Sequence, residues 1–260
     1  MIGFLVPHPP LIVPGVGSGD EIPATREAYN KAAAEATAYE PDTYVIISPH
    51  SAMYADYIHI SPGSSAKGDL GNFRASDIKF QVDYDEMLAG KIASCARQAG
   101  IPAGFDGERD SDLDHGTMIP LYFFDAPRIV RISISGLSFS EHHSFGMCIA
   151  DAAEVLGRKI CIIASGDMSH KLKADGPYGF DRHGPEHDEY VRNCIEKGNF
   201  SKLMEIEPEL CEKAAECGTR TIMMLIGAFK GRPIKSELLC YEGPYGVGYM
   251  TAAFREAGDA

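Results

Sequence analysis

Two short apolar runs constrain the fold of this chain more than any other feature of its sequence. The runs Thr43–Ser48 and Lys159–Ala164 are almost continuously hydrophobic, without the polar–apolar alternation of half-exposed strands. Strands with this composition lie inside parallel sheets, where helices cover both faces. Longer segments with helical periodicity separate such runs along the chain. The sequence therefore predicts the α/β class, with a central mixed sheet sandwiched between helices.

Short β-branched runs and longer helical patterns give the rest of the predicted element order. The predicted strands are Ile2–Val6, Thr43–Ser48, Tyr57–Ile60, Ile78–Val82, Ile129–Ile134, Lys159–Ala164, Glu237–Tyr241 and Val247–Ala252. The predicted helices are Ile22–Tyr39, Tyr84–Gln98, Ser144–Leu156, Glu186–Lys197 and a late helix over about Glu212–Phe229. The Gly- and Ser-rich stretch Ser61–Ala75 is interpreted as a long loop within the domain, with a mobile lid as its role.

Length, charge and cysteine usage limit the classes of function. With 260 residues and no evident linker, residues 1–260 are expected to form one domain. The net charge of −13 repels phosphate backbones, so no nucleic-acid partner is expected. No apolar run reaches the ~20 residues of a membrane span, and the first residues lack the basic region of a signal peptide. The seven cysteines form no Cys-x-x-Cys pair, which favours free thiols and a cytoplasmic location.

Three histidines follow predicted strands at equivalent positions. His8 follows the first strand within Val-Pro-His-Pro-Pro, and His50 follows Thr43–Ser48 within Ser-Pro-His-Ser. His170 follows Lys159–Ala164 within Ser-Gly-Asp-Met-Ser-His. If these strands are parallel neighbours, their trailing loops meet at one sheet edge, where α/β proteins bind ligands. A single histidine in a loop is more often a hydrogen-bonding residue than a ligand, but three in equivalent places favour a metal site.

The ordered motifs resemble a known family. Val-Pro-His-Pro-Pro, Ser-Pro-His-Ser, Asp-His-Gly-Thr-Met-Ile-Pro-Leu and Ser-Gly-Asp-Met-Ser-His are similar to the catalytic, LigB-type subunit of class III extradiol ring-cleavage dioxygenases. The resemblance runs along the whole chain and is strongest to the branch associated with AMMECR-type domains, to which the Memo proteins are related. It implies a three-layer α/β/α fold and a mononuclear iron(II) site, although Zn(II) or another divalent metal could be present in the purified protein.

The resemblance also implies roles for individual residues. His8 and His50 match the two histidine ligands, His170 matches the catalytic acid–base histidine, and His115 matches a second active-site histidine. Two histidines and one carboxylate on iron(II) leave positions for an aromatic substrate and O2. The implied reaction is extradiol ring opening of a catechol-like or aminophenol-like compound, with His170 moving the proton.

The third ligand is open between neighbouring residues. Ring-cleaving relatives use a glutamate at the start of a late helix, whereas Memo-type relatives carry a Cys-Gly pair in that region. This chain carries both options as Glu216-Cys217-Gly218, and Glu216 is the predicted ligand because a hard oxygen donor suits iron(II). Glu242, in Tyr-Glu-Gly-Pro, is a further candidate, and a turn residue is its more common interpretation.

Two other functions compete with the dioxygenase. The first is a Memo-like metal-binding or redox protein that acts with an AMMECR-type or radical-SAM partner and does not cleave rings; Cys217 favours it. The second is a zinc hydrolase, because histidine and acid ligands also suit Zn(II). The family resemblance further implies a homo-oligomer, or alternatively assembly with a small second subunit. The natural substrate is not specified by the sequence.

Overall fold

The computed structural model describes residues 1–18, 20–107 and 112–258, and these contain ten strands and eight α-helices. The strands are β1 Ile2–Val6, β2 Thr43–Ser48, β3 Ile58–His59, β4 Ser65–Leu70, β5 Ala75–Asp83, β6 Ala103–Gly104, β7 Ile129–Ser133, β8 Ile160–Ser165, β9 Ile234–Glu242 and β10 Tyr249–Glu256. The helices are α1 Pro23–Tyr39, α2 Glu86–Gln98, α3 His115–Phe123, α4 Phe139–Leu156, α5 His183–Glu196, α6 Phe200–Leu203, α7 Pro208–Ala214 and α8 Thr219–Gly227.

The central sheet is mixed, as the sequence predicts. Among the described residues it has six strands in the order β7-β2-β8-β1-β10-β9. β7, β2, β8 and β1 run parallel, and β10 and β9 add an antiparallel edge. β2, β8 and β1 are adjacent, so the segments that follow their carboxyl ends all leave the same edge of the sheet.

Apolar side chains on both faces of the sheet make two cores. Leu5, Val45 and Ile47 face the core that packs against α2, α4, α5 and α8. Phe4 and Ile46 face the opposite core, which α1 and α3 cover. Every residue of β1, β2 and β8 is buried, which explains why their sequences lack alternation. The predicted three-layer α/β/α fold with a central mixed sheet is confirmed.

Two predictions about local structure are wrong. The predicted late helix over Glu212–Phe229 is two helices, α7 and α8, because Ala215 adopts a left-handed φ of 53° and ends α7. The predicted loop Ser61–Ala75 contains strand β4, which pairs with β5 in an antiparallel hairpin. Its Gly and Ser content hides that strand, since Gly is depleted in strands and clusters of Gly and Ser are typical of loops.

Helix starts account for smaller differences. α4 begins at Phe139, ahead of the predicted Ser144, because Ser138 and Glu141 form a capping box. α3 is absent from the predicted elements, and Asp114 caps it by accepting a hydrogen bond from the Thr117 amide at 3.0 Å. This cap makes His115 the first residue of a helix at the sheet edge.

No helix in the described part of the chain is both long and apolar enough to cross a membrane.

Candidate metal centre

The parallel strands bring His8 and His50 together. The Nε2 atoms of the two imidazoles are 3.0 Å apart, and the ring centroids are 4.8 Å apart with the rings nearly perpendicular. With metal–nitrogen bonds of about 2.1 Å, two ligand nitrogens on one ion lie at most about 4.2 Å apart. The separation of these two atoms therefore fits a shared ion.

Cys217 completes a group of three donor atoms. Its Sγ lies 3.6 Å from His8 Nε2, and one donor atom from each of His8, His50 and Cys217 lies within 4.8 Å of the others. We call these three residues the His8 cluster. Cys217 belongs to the α7–α8 turn (residues 215–218), which the left-handed Ala215 directs back towards the sheet edge.

The α7–α8 turn is held against the β8 loop (residues 166–170) by short contacts. The Cys217 amide donates to the carbonyl oxygen of Asp167 at 3.2 Å, and the Asp167 amide donates to Cys217 Sγ at 3.2 Å. Gly166 permits this approach, because a Cβ atom there would lie 2.3 Å from the Cα atom of Gly218. The thiol position is therefore fixed by backbone on both sides.

Hydrogen bonds and burial fix the orientation and the protonation state of His8. Its Nδ1 is 2.9 Å from Ser165 Oγ, and its backbone amide donates to Asp167 Oδ1 at 2.9 Å. Burial first, and then the nearby His115, lower the pKa of His8 to about 3. The neutral imidazole can therefore carry its proton on Nδ1 and direct the Nε2 lone pair towards His50 and Cys217, which is the form that binds a metal.

His115 packs on both histidines of the cluster. Its ring stacks on His50 with centroids 4.1 Å apart and meets His8 edge-on at 5.3 Å. Asp114, the capping residue, accepts hydrogen bonds from Ser48 and Thr117. Burial lowers the pKa values of both His50 and His115, so all three rings are neutral near pH 7.

His170 approaches the cluster from the β8 loop. Its Nδ1 hydrogen-bonds the carbonyl oxygen of Ala215, which leaves Nε2 directed at the site. That Nε2 is 3.9 Å from Asp167 Oδ2, and the same oxygen is 3.9 Å from His8 Nε2. A tyrosine ring, Tyr178, lies edge-on to His170 at 5.0 Å.

Two carboxylates considered from sequence lie elsewhere. Glu216 Oε2 accepts a hydrogen bond from the Thr219 amide at 2.6 Å, and Glu216 groups with His187 and Cys211, apart from His8 and His50. We call this second group the His187 cluster. Glu242 Oε1 accepts from the amide and the hydroxyl of Thr25 at 2.8 and 2.6 Å. Cys217 thus takes the place beside the two histidines that the sequence analysis gave to Glu216.

Asp167 is a site residue that the sequence analysis did not single out. It lies between His8 and His170, is buried, and has a raised pKa because burial disfavours its charge. The sequence contains a clue to this role, because Asp167 lies in the motif Ser-Gly-Asp-Met-Ser-His, three residues before His170.

A cavity of about 1030 Å³ adjoins the cluster. His50, Asp114 and His115 form one wall, and the β4–β5 hairpin forms the other with Lys67, Phe73 and Lys79. The volume is at the upper end of the range for small-molecule sites, about 300–1,000 Å³. Neutral imidazoles and a thiol beside a cavity, at the carboxyl edge of a parallel sheet, define a candidate metal-dependent enzyme of the α/β class.

Comparison with known proteins identifies the family. The model of the family described as the catalytic LigB subunit of aromatic ring-opening dioxygenase matches residues 2–252. The chain therefore belongs to the LigB family, as its motifs predict.

Curated relatives extend this result. Protein CA_C1420 of Clostridium acetobutylicum is 35% identical over 259 residues, covering 95% of this chain and 55% of that protein. The chain thus spans about half the length of this relative. The 2-aminophenol 1,6-dioxygenase beta subunit of a Pseudomonas species is 22% identical over 279 residues, covering 95% of this chain and 90% of the relative. The 3,4-dihydroxyphenylacetate 2,3-dioxygenase of Escherichia coli is 24% identical over 203 residues, covering 72% and 73%.

A solved structure shares the fold. The crystal structure of an uncharacterized protein from Escherichia coli K12 superposes with a TM-score of 0.69 at 17% sequence identity. The match covers 97% of this chain and 99% of the other. At this identity the likeness concerns the fold alone.

Proposed function

We propose that this protein is an iron(II)-dependent extradiol ring-opening dioxygenase in which His8, His50 and Cys217 hold the metal. The observation that carries the proposal is the convergence of these three donor atoms within 4.8 Å of one another. The distant ring-opening relatives support the reaction class. A catechol-like or aminophenol-like aromatic is the proposed substrate, with O2 as co-substrate.

The donor set fits a divalent metal. Two neutral imidazoles and one thiolate carry a single negative charge, as two histidines and a carboxylate do, so the charge of the site is kept. Burial first, and then the Asp167 and Glu216 carboxylates, raise the pKa of Cys217 well above its usual value. Binding of a cation would therefore release the thiol proton, a coupling that is common at thiolate sites.

The surrounding residues of this chain supply proton transfer. When bound, iron(II) supplies the one-electron chemistry by which O2 reacts with an electron-rich ring. The Nδ1–H group of His170 donates a hydrogen bond to the carbonyl oxygen of Ala215. The free Nε2 can therefore accept a hydroxyl proton from the substrate and later return it. Asp167 Oδ2, at 3.9 Å, stabilises the imidazolium that forms in between. His115 and Phe73, whose ring centroids are 5.5 Å apart, offer aromatic surface to the substrate ring.

The test is an aerobic assay of protein loaded with iron(II) under anaerobic conditions. A panel of catechols and aminophenols is followed by O2 consumption and by absorbance of the ring-opened product. His170→Ala is expected to keep its iron and lose about 10²–10⁴-fold in turnover. His183→Ala is the matched control, because this histidine has nearly the same exposure and pairs with Asp181. Iron-loaded wild type that consumes no O2 with any compound would contradict the proposal.

Cys217 also favours a second candidate, a Memo-like metal-binding redox protein without ring-cleavage activity. A thiolate is a softer and more oxidisable donor than a carboxylate, so it suits redox chemistry and softer metals such as copper. The proposed partners are an AMMECR-type or a radical-SAM protein. Metal analysis of anaerobically purified protein that finds copper, together with redox cycling that Cys217→Ser abolishes, would favour this candidate over the dioxygenase.

A further inference from the structure

A buried ionisable pair on α5 lies behind the candidate metal centre, and the proposed function does not use it. His187 and Asp188 are 0% and 1% exposed, and His187 Nδ1 is 2.9 Å from Asp188 Oδ1. Removing such groups from water is costly unless each of their polar atoms is satisfied. The partners of this pair are therefore informative.

Asp188 is bonded to the β8 loop. Its Oδ1 accepts a hydrogen bond from the Ser169 amide at 2.8 Å, one residue before His170 and two after Asp167. Its Oδ2 accepts from the Tyr241 hydroxyl at 2.7 Å, which anchors the carboxylate to strand β9. The carboxylate thus fixes the middle of the loop that carries Asp167 and His170.

His187 is bonded to the residue that follows the α7–α8 turn. Its Nε2 is 3.0 Å from Thr219 Oγ1, and the Thr219 amide donates to Glu216 Oε2 at 2.6 Å. Cys217 lies between Glu216 and Thr219 in the chain, so these two bonds span the residue whose sulfur faces His8. The imidazole thus fixes the second loop of the site.

We infer that His187 and Asp188 are positioning residues, which hold the β8 loop and the α7–α8 turn at the spacing that the metal centre requires. The inference rests on the proposed function, because it concerns the same metal. Outer-shell residues of this kind change metal affinity without contacting the ion, typically by about 10- to 100-fold. Neither residue touches the reacting atoms, and both act through Ser169 and Thr219.

The same residues have an alternative interpretation as a second metal site. His187, Cys211 and Glu216 each place a donor atom within 4.8 Å of the others. In this cluster, however, both His187 nitrogens and Glu216 Oε2 already have hydrogen-bond partners. The positioning role accounts for all of these bonds, and metal stoichiometry separates the two interpretations.

The experiment is an anaerobic titration of the full chain with Co(II), in which absorbance reports binding and a charge-transfer band reports the cobalt–thiolate bond. His187→Ala is expected to weaken Co(II) binding by about 10- to 100-fold and to reduce the thiolate band. His142→Ala is the matched control, because His142 is an equally buried histidine whose hydrogen bonds go to Ser135 and Ser138. It should bind Co(II) as wild type does.

A graded pair of variants tests the Asp188 contact. Asp188→Asn keeps a side-chain oxygen for the Ser169 amide and should retain more Co(II) affinity than Asp188→Ala. If His187→Ala does not fold, Thr219→Val removes the same hydrogen bond with almost no change in volume and is measured by the same two readouts.

Three results would overturn the inference. His187→Ala and Thr219→Val could lose stability and keep wild-type Co(II) affinity and thiolate band, which would make the pair merely structural. Wild type could bind two Co(II) ions and His187→Ala one, which would make the His187 cluster a metal site. Wild type that binds no Co(II) would remove the proposed metal centre itself, and with it the inference.

Discussion

The His8 cluster and the His187 cluster contain similar residue types and differ in what their polar atoms contact. Each brings donor atoms of a histidine and a cysteine, with a second histidine or a glutamate, within 4.8 Å. The first lies beside a cavity that His50 lines. The second is packed under α5, where Thr219 bonds both His187 and Glu216.

The pKa values of the central histidines of the two clusters are also shifted in opposite directions. Burial and neighbouring histidines lower the pKa of His8 to about 3. At His187 burial also lowers the pKa, but hydrogen bonds to Asp188 and Cys211 and the charge of Glu216 outweigh it and raise the pKa to about 10. A neutral imidazole can bind a metal and an imidazolium cannot.

The comparison shows that residue type alone does not define a metal site. A group of donors is available to an ion when its lone pairs converge and its imidazoles are neutral, and it is structural when residues outside the group already bind both nitrogens of its histidine. Under the proposed function, Cys217 belongs to the available group and its neighbour Glu216 to the structural group.

The largest expected effect is the loss of metal on removing a proposed ligand in the His8 cluster. His50→Gln should lower iron(II) affinity by at least about 100-fold, because it removes a direct donor. His115→Gln should keep the metal, since this ring stacks on His50 without joining the three donors. Metal content after anaerobic dialysis measures both variants. An equal loss of metal in the two variants would show that His115 is also a ligand, and would contradict the assignment of the three donors.

A smaller effect is expected where the two loops approach each other. Gly166→Ala would place a Cβ atom 2.3 Å from Gly218 Cα, so the α7–α8 turn must move away from the β8 loop. We expect a loss of about 1–3 kcal/mol in the free energy of unfolding, from overpacking, together with weaker metal binding. Gly157→Ala meets no atom within 4 Å, but its φ of 62° strains alanine, so it controls for destabilisation at a distance from the site. Metal affinity that falls equally in both variants would contradict the account.

Proton binding by the metal-free protein should follow the opposite pKa shifts of the two clusters. His8 has a folded pKa of about 3, below its unfolded value of about 6.5, so the unfolded state binds the extra proton between these values. The contribution of His8 to the free energy of unfolding is therefore lost as the pH falls from about 6.5 towards 3, by up to about 1.4 kcal/mol per pH unit.

His187 should show the reverse dependence. Its pKa of about 10 in the folded protein lies above the unfolded value of about 6.5. Its contribution to the free energy of unfolding is therefore complete below about pH 6.5 and is lost as the pH rises through 10. The groups that face it are Asp188, Cys211 and Glu216. NMR titration of the imidazole resonances checks both residues. A neutral His187 at pH 7 would contradict the structural assignment of its cluster.

The smallest effect is expected for Cys211→Ser. Cys211 Sγ contacts Thr219 Oγ1 at 3.7 Å and is 4% exposed, so a hydroxyl there costs about 1 kcal/mol of stability. Metal content should stay at the wild-type level. Chemical denaturation and metal analysis on the same preparation give both values, and a loss of metal would contradict a purely structural role for Cys211.

Much of the fold and part of the site were predictable from sequence, for a physical reason. The apolar runs of β2 and β8 specify strands covered on both faces, and parallel neighbours must place the residues after them at one edge. The meeting of His8, His50 and His170 follows from that rule. His115 and Asp167 lie at the same edge, His115 because Asp114 caps α3 there.

These rules do not decide whether Glu216 or Cys217 lies beside His8 and His50 as the candidate third ligand. The choice depends on the left-handed Ala215, which ends α7, and on the amide of Cys217, which donates to Asp167 fifty residues earlier. Ala215 has no side chain that favours a left-handed φ, so nothing local marks the break. The predicted continuous helix over Glu212–Phe229 was wrong for the same reason.

The most direct test compares the absorption spectra of Co(II)-loaded wild type, Cys217→Ser and Glu216→Gln. A thiolate ligand gives a sulfur-to-cobalt charge-transfer band, which a carboxylate ligand does not. We expect the band in wild type and Glu216→Gln, and its loss in Cys217→Ser. A band that persists in Cys217→Ser, or Co(II) binding that disappears only in Glu216→Gln, would contradict the assignment of Cys217 as the third ligand.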